Sequence, residues 1–195
     1  MTRAVAPALL FALVAAASRP ALTASSADSK AQTPTQPLAN TTPMVSSVVD
    51  IDGIKKSMRG SRGRVLLVHF WATWCLPCLE ELPVISQFAR EMKPRGLDVL
   101  SLSLDDPQTA QARVSKLLSE QAPNLTPVIA KFSDADQFIG TFDSRWEGTI
   151  PALFAYDATG QRRGSHVGEA SRGDLDQLVG RLLKPGAGAG PGKKK

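Results

Sequence analysis

Cysteine is scarce in this chain, with two among 195 residues. Two thiols cannot staple a disulfide-dense mini-scaffold, and alone they cannot complete a four-cysteine zinc or iron–sulfur site. A basic face is missing too, although the formal charge is +5. Arg3, Arg19, Lys30, Lys184 and Lys193 to Lys195 lie near the ends, as does Asp28, and without them 16 basic residues face 17 acids. A nucleic-acid role needs a basic face on the folded part, and the sequence offers none. No apolar run reaches the roughly 20 residues of a comfortable membrane span. No internal repeat is present. What the chain does hold is 43% hydrophobic residues, enough for the core of one domain with extensions.

The ends read as extensions. After Met1-Thr2-Arg3 comes an apolar stretch from Ala4 to Ala17, broken by Pro7, the pattern of a secretory signal over residues 1–24. Cleavage points follow Ala17 or Ala24, and the alternative is an uncleaved N-terminal anchor. Both readings put the remaining chain outside the cytoplasm, in the periplasm or secreted, where disulfides persist. Residues 25–44 are Ser, Thr, Ala, Gln, Asn and Pro with hardly an apolar cluster, a linker that cannot offset its ordering entropy. Residues 185–195 alternate glycine and end in three lysines, a solvated tail.

Between residues 45 and 184 the periodicities predict an α/β domain. Ile51, Ile54 and Met58 mark one helical face, with Asp50 as N-cap and Gly60 as stop. Val65 to Trp71 is apolar at every position but His69, which predicts a strand buried on both faces. Leu82, Ile85, Phe88, Ala89 and Met92 predict a helix ending before Pro94. Further strands are expected over 97–104, 127–132, 152–156 and 161–167, with a turn at Asp157-Ala158-Thr159-Gly160. Helices are expected over 108–121 and 134–142, and one closes the domain through Leu175, Leu178, Leu182 and Leu183. This order argues a mixed central sheet with helices on both faces.

Both cysteines stand in Trp71-Ala72-Thr73-Trp74-Cys75-Leu76-Pro77-Cys78, directly after a buried strand and at the start of a helix. That context turns a common Cys-x-x-Cys pattern into a redox assignment. The free N–H groups of a helix start favour a thiolate on Cys75. Cys78, one turn on, is placed to attack a mixed disulfide formed at Cys75. Pro77 suits the first turn, and Trp74 shields the sulfur and offers an apolar contact to a partner. Two other readings use the same residues. An inert structural disulfide across so short a loop would constrain little. A copper or zinc site would recruit His69 or His166, with nothing nearby to add ligands.

The stretches VLLVHFWATWCLPCLEELP (Val65 to Pro83) and GTIPALFAYDATGQ (Gly148 to Gln161), followed by VGEASRGDLDQLV, resemble extracytoplasmic thioredoxin-like oxidoreductases of the TlpA/ResA type. The resemblance implies a thioredoxin-like fold with an extra strand and helix inserted between Pro107 and Phe142. It implies a cis peptide at Ile150-Pro151, facing the sulfurs, where the backbone pairs with a substrate strand. It implies reduction of protein disulfides, with electrons from a membrane thiol carrier. A monomer is expected, and no cofactor beyond the Cys75–Cys78 couple. The clients it suggests are apocytochrome c or copper-centre proteins. Where plain thioredoxins carry a buried acid, this chain has His69. A base there would take the proton of Cys78, so that His69→Ala slows reduction near neutral pH with the fold intact. The plainer alternative is a core histidine bonded to backbone. Glu80 and Glu81 fall in the first turns of the helix, where carboxylates suit the dipole; Glu80 is expected on a solvated face, and Gly168 along the substrate groove. The rival functions are a disulfide-forming oxidant, a thiol peroxidase and a non-enzymatic copper-binding module.

Overall fold

A computed structural model of the chain describes residues 46–183. The expected signal over 1–24, linker over 25–44 and tail over 185–195 lie outside the described residues. In chain order the elements are β1 (Ser47–Val49), α1 (Ile51–Gly60), β2 (Val65–Trp71), α2 (Leu76–Met92), β3 (Leu97–Ser103), α3 (Gln111–Gln121), β4 (Val128–Ala130), α4 (Ala135–Phe142), β5 (Ala152–Tyr156), β6 (Arg162–Val167) and α5 (Arg172–Val179). The strands form one six-stranded sheet in the order β1-β4-β3-β2-β5-β6. β1, β4, β3 and β2 run parallel, while β5 is antiparallel to β2 and to β6. The mixed sheet is as expected, and the 107–142 segment holds α3, β4 and α4.

β2 is buried at all seven positions, because helices cover both faces of the sheet. Val65, Leu67 and Trp71 pack with α2, α3 and α5 through Leu82, Ile85, Val114, Leu118 and Leu175. Leu66, Val68 and Phe70 point the other way, onto Ile54 of α1, Phe138 and Phe142 of α4, and Trp146. The period of two along a strand thus sends His69 toward α2. That direction decides its chemistry.

Local signals explain most element ends. Asp50 accepts from Gly53 N–H at 2.8 Å and caps α1, and Asp134 caps α4 through Gln137 N–H at 2.9 Å. Asp157 Oδ1 accepts from Thr159 N–H and Gln161 N–H and closes the β5–β6 turn. Three segments depart from expectation. α3 starts at Gln111, because Asp106 draws Gln108 N–H into a turn at 2.8 Å. α5 ends at Val179, and Leu183, though buried, lies beyond it. β1 was not expected at all; it adds to β4 with Val48 opposite Ile129. Among the described residues no helix is long and apolar enough to cross a membrane.

Candidate active site

β2 stops at Trp71, and four residues later Cys75 occupies the N-cap of α2 in an extended conformation, φ −96° and ψ 101°. Its carbonyl accepts from Leu79 N–H at 3.2 Å, so the helix begins at the residue after the first sulfur. Cys75 and Cys78 are joined as a disulfide with Cα atoms 5.3 Å apart. The two sulfurs are not equivalent. Cys75 keeps 8% exposure and Cys78 none. Pro77 stands in the first turn, where its missing N–H removes no helical bond.

Around the outer sulfur the surface is apolar. Trp74 is 68% exposed and Leu76 66%. Across from them the Ile150 carbonyl oxygen lies 3.9 Å from Cys75 Sγ, and the Ile150–Pro151 peptide is cis. Gly168 N–H donates to the Pro151 carbonyl at 2.9 Å. With φ at +104°, residue 168 sits where a side chain is strained and glycine is not. The sequence-predicted Cys75, Cys78, Trp74, Pro77, Ile150 and Pro151 are therefore one neighbourhood.

Beneath it lies a polar core. His69 Nε2 is 2.9 Å from Glu81 Oε1, and His69 Nδ1 is 3.1 Å from Ser101 Oγ. The other carboxylate oxygen, Oε2, accepts from Ala170 N–H at 2.8 Å. All three side chains are buried. Glu80 is exposed, as expected, whereas Glu81, read in the sequence only as a carboxylate suited to the helix start, is buried. Because α2 starts at Leu76, Glu81 falls three residues after Cys78 on the inward face, with Leu82 and Ile85. That spacing from an inward cysteine was the available signal. His69 is not bonded to backbone either, since side chains hold both its ring nitrogens. Its alanine variant cannot leave the fold untouched: a buried carboxylate oxygen and a serine hydroxyl would lose their partner, at a cost of about 3 kcal/mol.

A second buried carboxylate holds the loop that carries the cysteines. Asp105, just after β3, accepts from Thr73 N–H at 2.9 Å, Thr73 Oγ1–H at 2.6 Å and Ser103 Oγ–H at 2.6 Å. Arg113 from α3 reaches it at 3.2 Å. Burial pushes the Asp105 carboxyl up, but the bonds from Ser103, Thr73 and Arg113 outweigh it and leave the group below its ordinary value. The sign follows from that direction. The folded form ionises at lower pH than the unfolded form, so the clamp stabilises fully above about pH 4 and fades as pH falls through the lowered folded value. Asp105→Ala is expected to cost about 3 kcal/mol at neutral pH. Urea unfolding would show it, and the gap from the parent protein should narrow in acid; a gap that widens there contradicts the assignment. Trp71 Nε1, nearby in sequence, is the one buried side-chain nitrogen or oxygen without a partner among the described residues. Among those residues no three His, Cys, Asp or Glu side chains converge as metal ligands.

The AhpC/TSA family model matches residues 39–162, well over half the chain. The thiol-disulfide oxidoreductase ResA of Bacillus cereus is 26% identical over 137 residues, covering 70% of this chain and 72% of that protein. The thioredoxin-like protein YneN of Bacillus subtilis is 23% identical over 135 residues, covering 68% and 74%. Among solved structures, a thiol:disulfide interchange protein of the thioredoxin family from Chlorobium tepidum aligns with a TM-score of 0.54 at 27% identity, over 65% of this chain and 84% of that one. With a buried strand feeding a Cys-x-x-Cys helix, this chain belongs to the AhpC/TSA family and is a thioredoxin-like thiol–disulfide oxidoreductase with its cysteine pair at Cys75 and Cys78.

Proposed function

We propose that this oxidoreductase works outside the cytoplasm and reduces disulfides in protein clients. The observation that carries the reading is the unequal burial of the two sulfurs, 8% against none. In the reduced protein Cys75 is the thiolate that a client can reach. It attacks one sulfur of the client disulfide, forming the Cys75–client bond and releasing the other client sulfur as a thiolate. Cys78, once deprotonated, attacks Cys75 Sγ, releases the second client thiolate and closes the Cys75–Cys78 disulfide. The client gains two electrons and the enzyme loses them. A membrane thiol donor returns the pair by the reverse exchange. No cofactor beyond the couple enters, and a monomer suffices.

The proton of Cys78 needs an acceptor inside the protein, because Cys78 is sealed from water. Glu81 and His69 supply it: Glu81 is on the helix face of Cys78, and His69 Nε2 and Glu81 Oε1 share a hydrogen bond. Trp74, Pro77 and Ile150 flank the outer sulfur, and Pro151 backs the groove in which a client strand would lie. The apolar stretch from Ala4 to Ala17 after Arg3 supports export or anchoring. The resemblance to TlpA/ResA proteins supports clients such as oxidised apocytochrome c in cytochrome c maturation, or a copper-centre protein.

The reduction potential of the Cys75–Cys78 couple tests the direction. Equilibration against a dithiol buffer should give a value near or below the thioredoxin end of a scale that runs from about −270 mV to about −120 mV for DsbA. A value at the DsbA end would make the protein a disulfide-forming oxidant and end the reductant reading.

A further inference from the structure

The end of the sheet opposite Cys75 is where β2 begins and β5 ends, with Leu66 paired to Tyr156. A pocket of about 250 Å³ opens there, walled by α1, the turn that follows it and the β5–β6 turn. Lys55, Met58 and Arg59 reach its wall from one face of α1, being three and four residues apart. Arg62 comes from the next turn, which is tied to the opposite wall by Gly63 N–H donating to the Ala158 carbonyl at 2.8 Å. The near-neutral charge of the domain conceals this grouping.

The cations here are not spoken for. Lys55, Arg59 and Arg62 are exposed and form no ion pair among the described residues. Arg64, also on the wall, is committed to Asp98 at 2.8 Å and to two carbonyls. Asp157 is the single acid on the wall. It is satisfied by Thr159, Arg163 and Gln161, which hold its carboxyl well below the usual carboxylate range. A helix C-terminus favours one cation such as Arg59, but this explains neither Lys55 nor Arg62.

A second observation points to a ligand independently. Tyr156 is 93% buried as a residue and lines the pocket; its hydroxyl makes no hydrogen bond among the described residues and is not sealed off like Trp71 Nε1, so it is open to whatever fills the pocket. Burial pushes its pKa up to about 12, so it stays a protonated donor. Three cations and a hydroxyl donor exceed what the two oxygens of a carboxylate need, and match a phosphate. Met58 and Leu66 give the same pocket an apolar floor. We propose that this pocket binds a phosphate headgroup joined to an apolar body, with Lys55, Arg59, Arg62 and Tyr156 on the phosphate and Met58 and Leu66 beneath the apolar part.

The test uses the full chain and dioctanoyl phosphatidic acid below its micellar concentration, followed by calorimetry. Saturable binding of one molecule per chain is expected, with inorganic phosphate competing more weakly because it leaves the floor uncovered. Lys55→Glu/Arg62→Glu should weaken binding about tenfold or more per cation, and Tyr156→Phe by less. Melting temperature and dithiol turnover should not change. Vesicles of phosphatidylcholine with and without phosphatidic acid separate the two sources. Stronger retention of the parent than of the double variant on acidic vesicles identifies a phospholipid. Equal retention with soluble binding intact identifies a soluble phosphate ester. Equal affinity of parent and double variant for the soluble probe, or no saturable binding of either probe by the parent, overturns the proposal.

Discussion

A Cys78→Ser protein will accumulate covalent complexes with its clients, joined through Cys75, and turnover will fall at least about a thousandfold. Cys75 keeps its place at the N-cap and its exposure, so the first exchange still proceeds. The second has no nucleophile, because a serine hydroxyl at the buried position 78 is not ionised and cannot displace a sulfur. The adducts should appear on non-reducing gels and vanish with dithiol, and mass spectrometry should place the bond on Cys75. Cys75→Ser should capture nothing. Equal capture by that protein through Cys78 would reverse the roles assigned to the two sulfurs.

Glu81→Gln is expected to slow client reduction about a hundredfold near neutral pH while the protein remains folded. The amide can replace the carboxylate sterically. Its oxygen accepts from Ala170 N–H, and its NH2 donates to His69 Nε2, which moves the histidine proton to Nδ1 and toward Ser101. The hydrogen bonds survive, but the acceptor for the Cys78 proton is gone. The slowed step should be resolution, so the Cys75 mixed disulfide builds up during turnover, and the rate profile between roughly pH 6 and 9 should change shape. Glu81→Ala goes further and strands His69 and Ala170 N–H in the interior, at a cost of about 3 to 5 kcal/mol. An unaltered rate and profile in Glu81→Gln would remove the buried pair from the proton path.

These predictions draw on residues that differ in how visible they were in the sequence. β2 and β5 were legible to the residue, since a short apolar run between turn signals, interrupted in β2 only by His69, reads as a buried strand. The Asp50 cap and the Asp157–Gly160 turn were equally plain, because their chemistry is local. β1 was not, for its three residues are held by non-local pairing, with Ser47 N–H on the Pro127 carbonyl and Lys131 N–H on the Val49 carbonyl. Glu81 was missed for a related reason. Periodicity read from apolar positions treats an inward carboxylate as a surface residue until its partner is known, and that partner lies 12 residues back on another element. Asp105 reaches 32 residues back to Thr73, and no pattern around either residue announces the bond.

Trp74 and Leu76 also bear on which clients are spared. Two large apolar side chains left in water beside a sulfur that is itself only 8% exposed make a shallow, sticky rim with a recessed reactive point. A bond buried in a finished domain cannot descend to that point, because its own fold stands in the way. A loose, extended segment can, and its apolar neighbours then cover the rim and recover the free energy of burial, about 25 cal/mol per Å². The shape of the rim therefore acts as a sieve for foldedness. If the protein is the extracytoplasmic reductant proposed above, mature disulfides in the same compartment would survive beside it because they are out of reach.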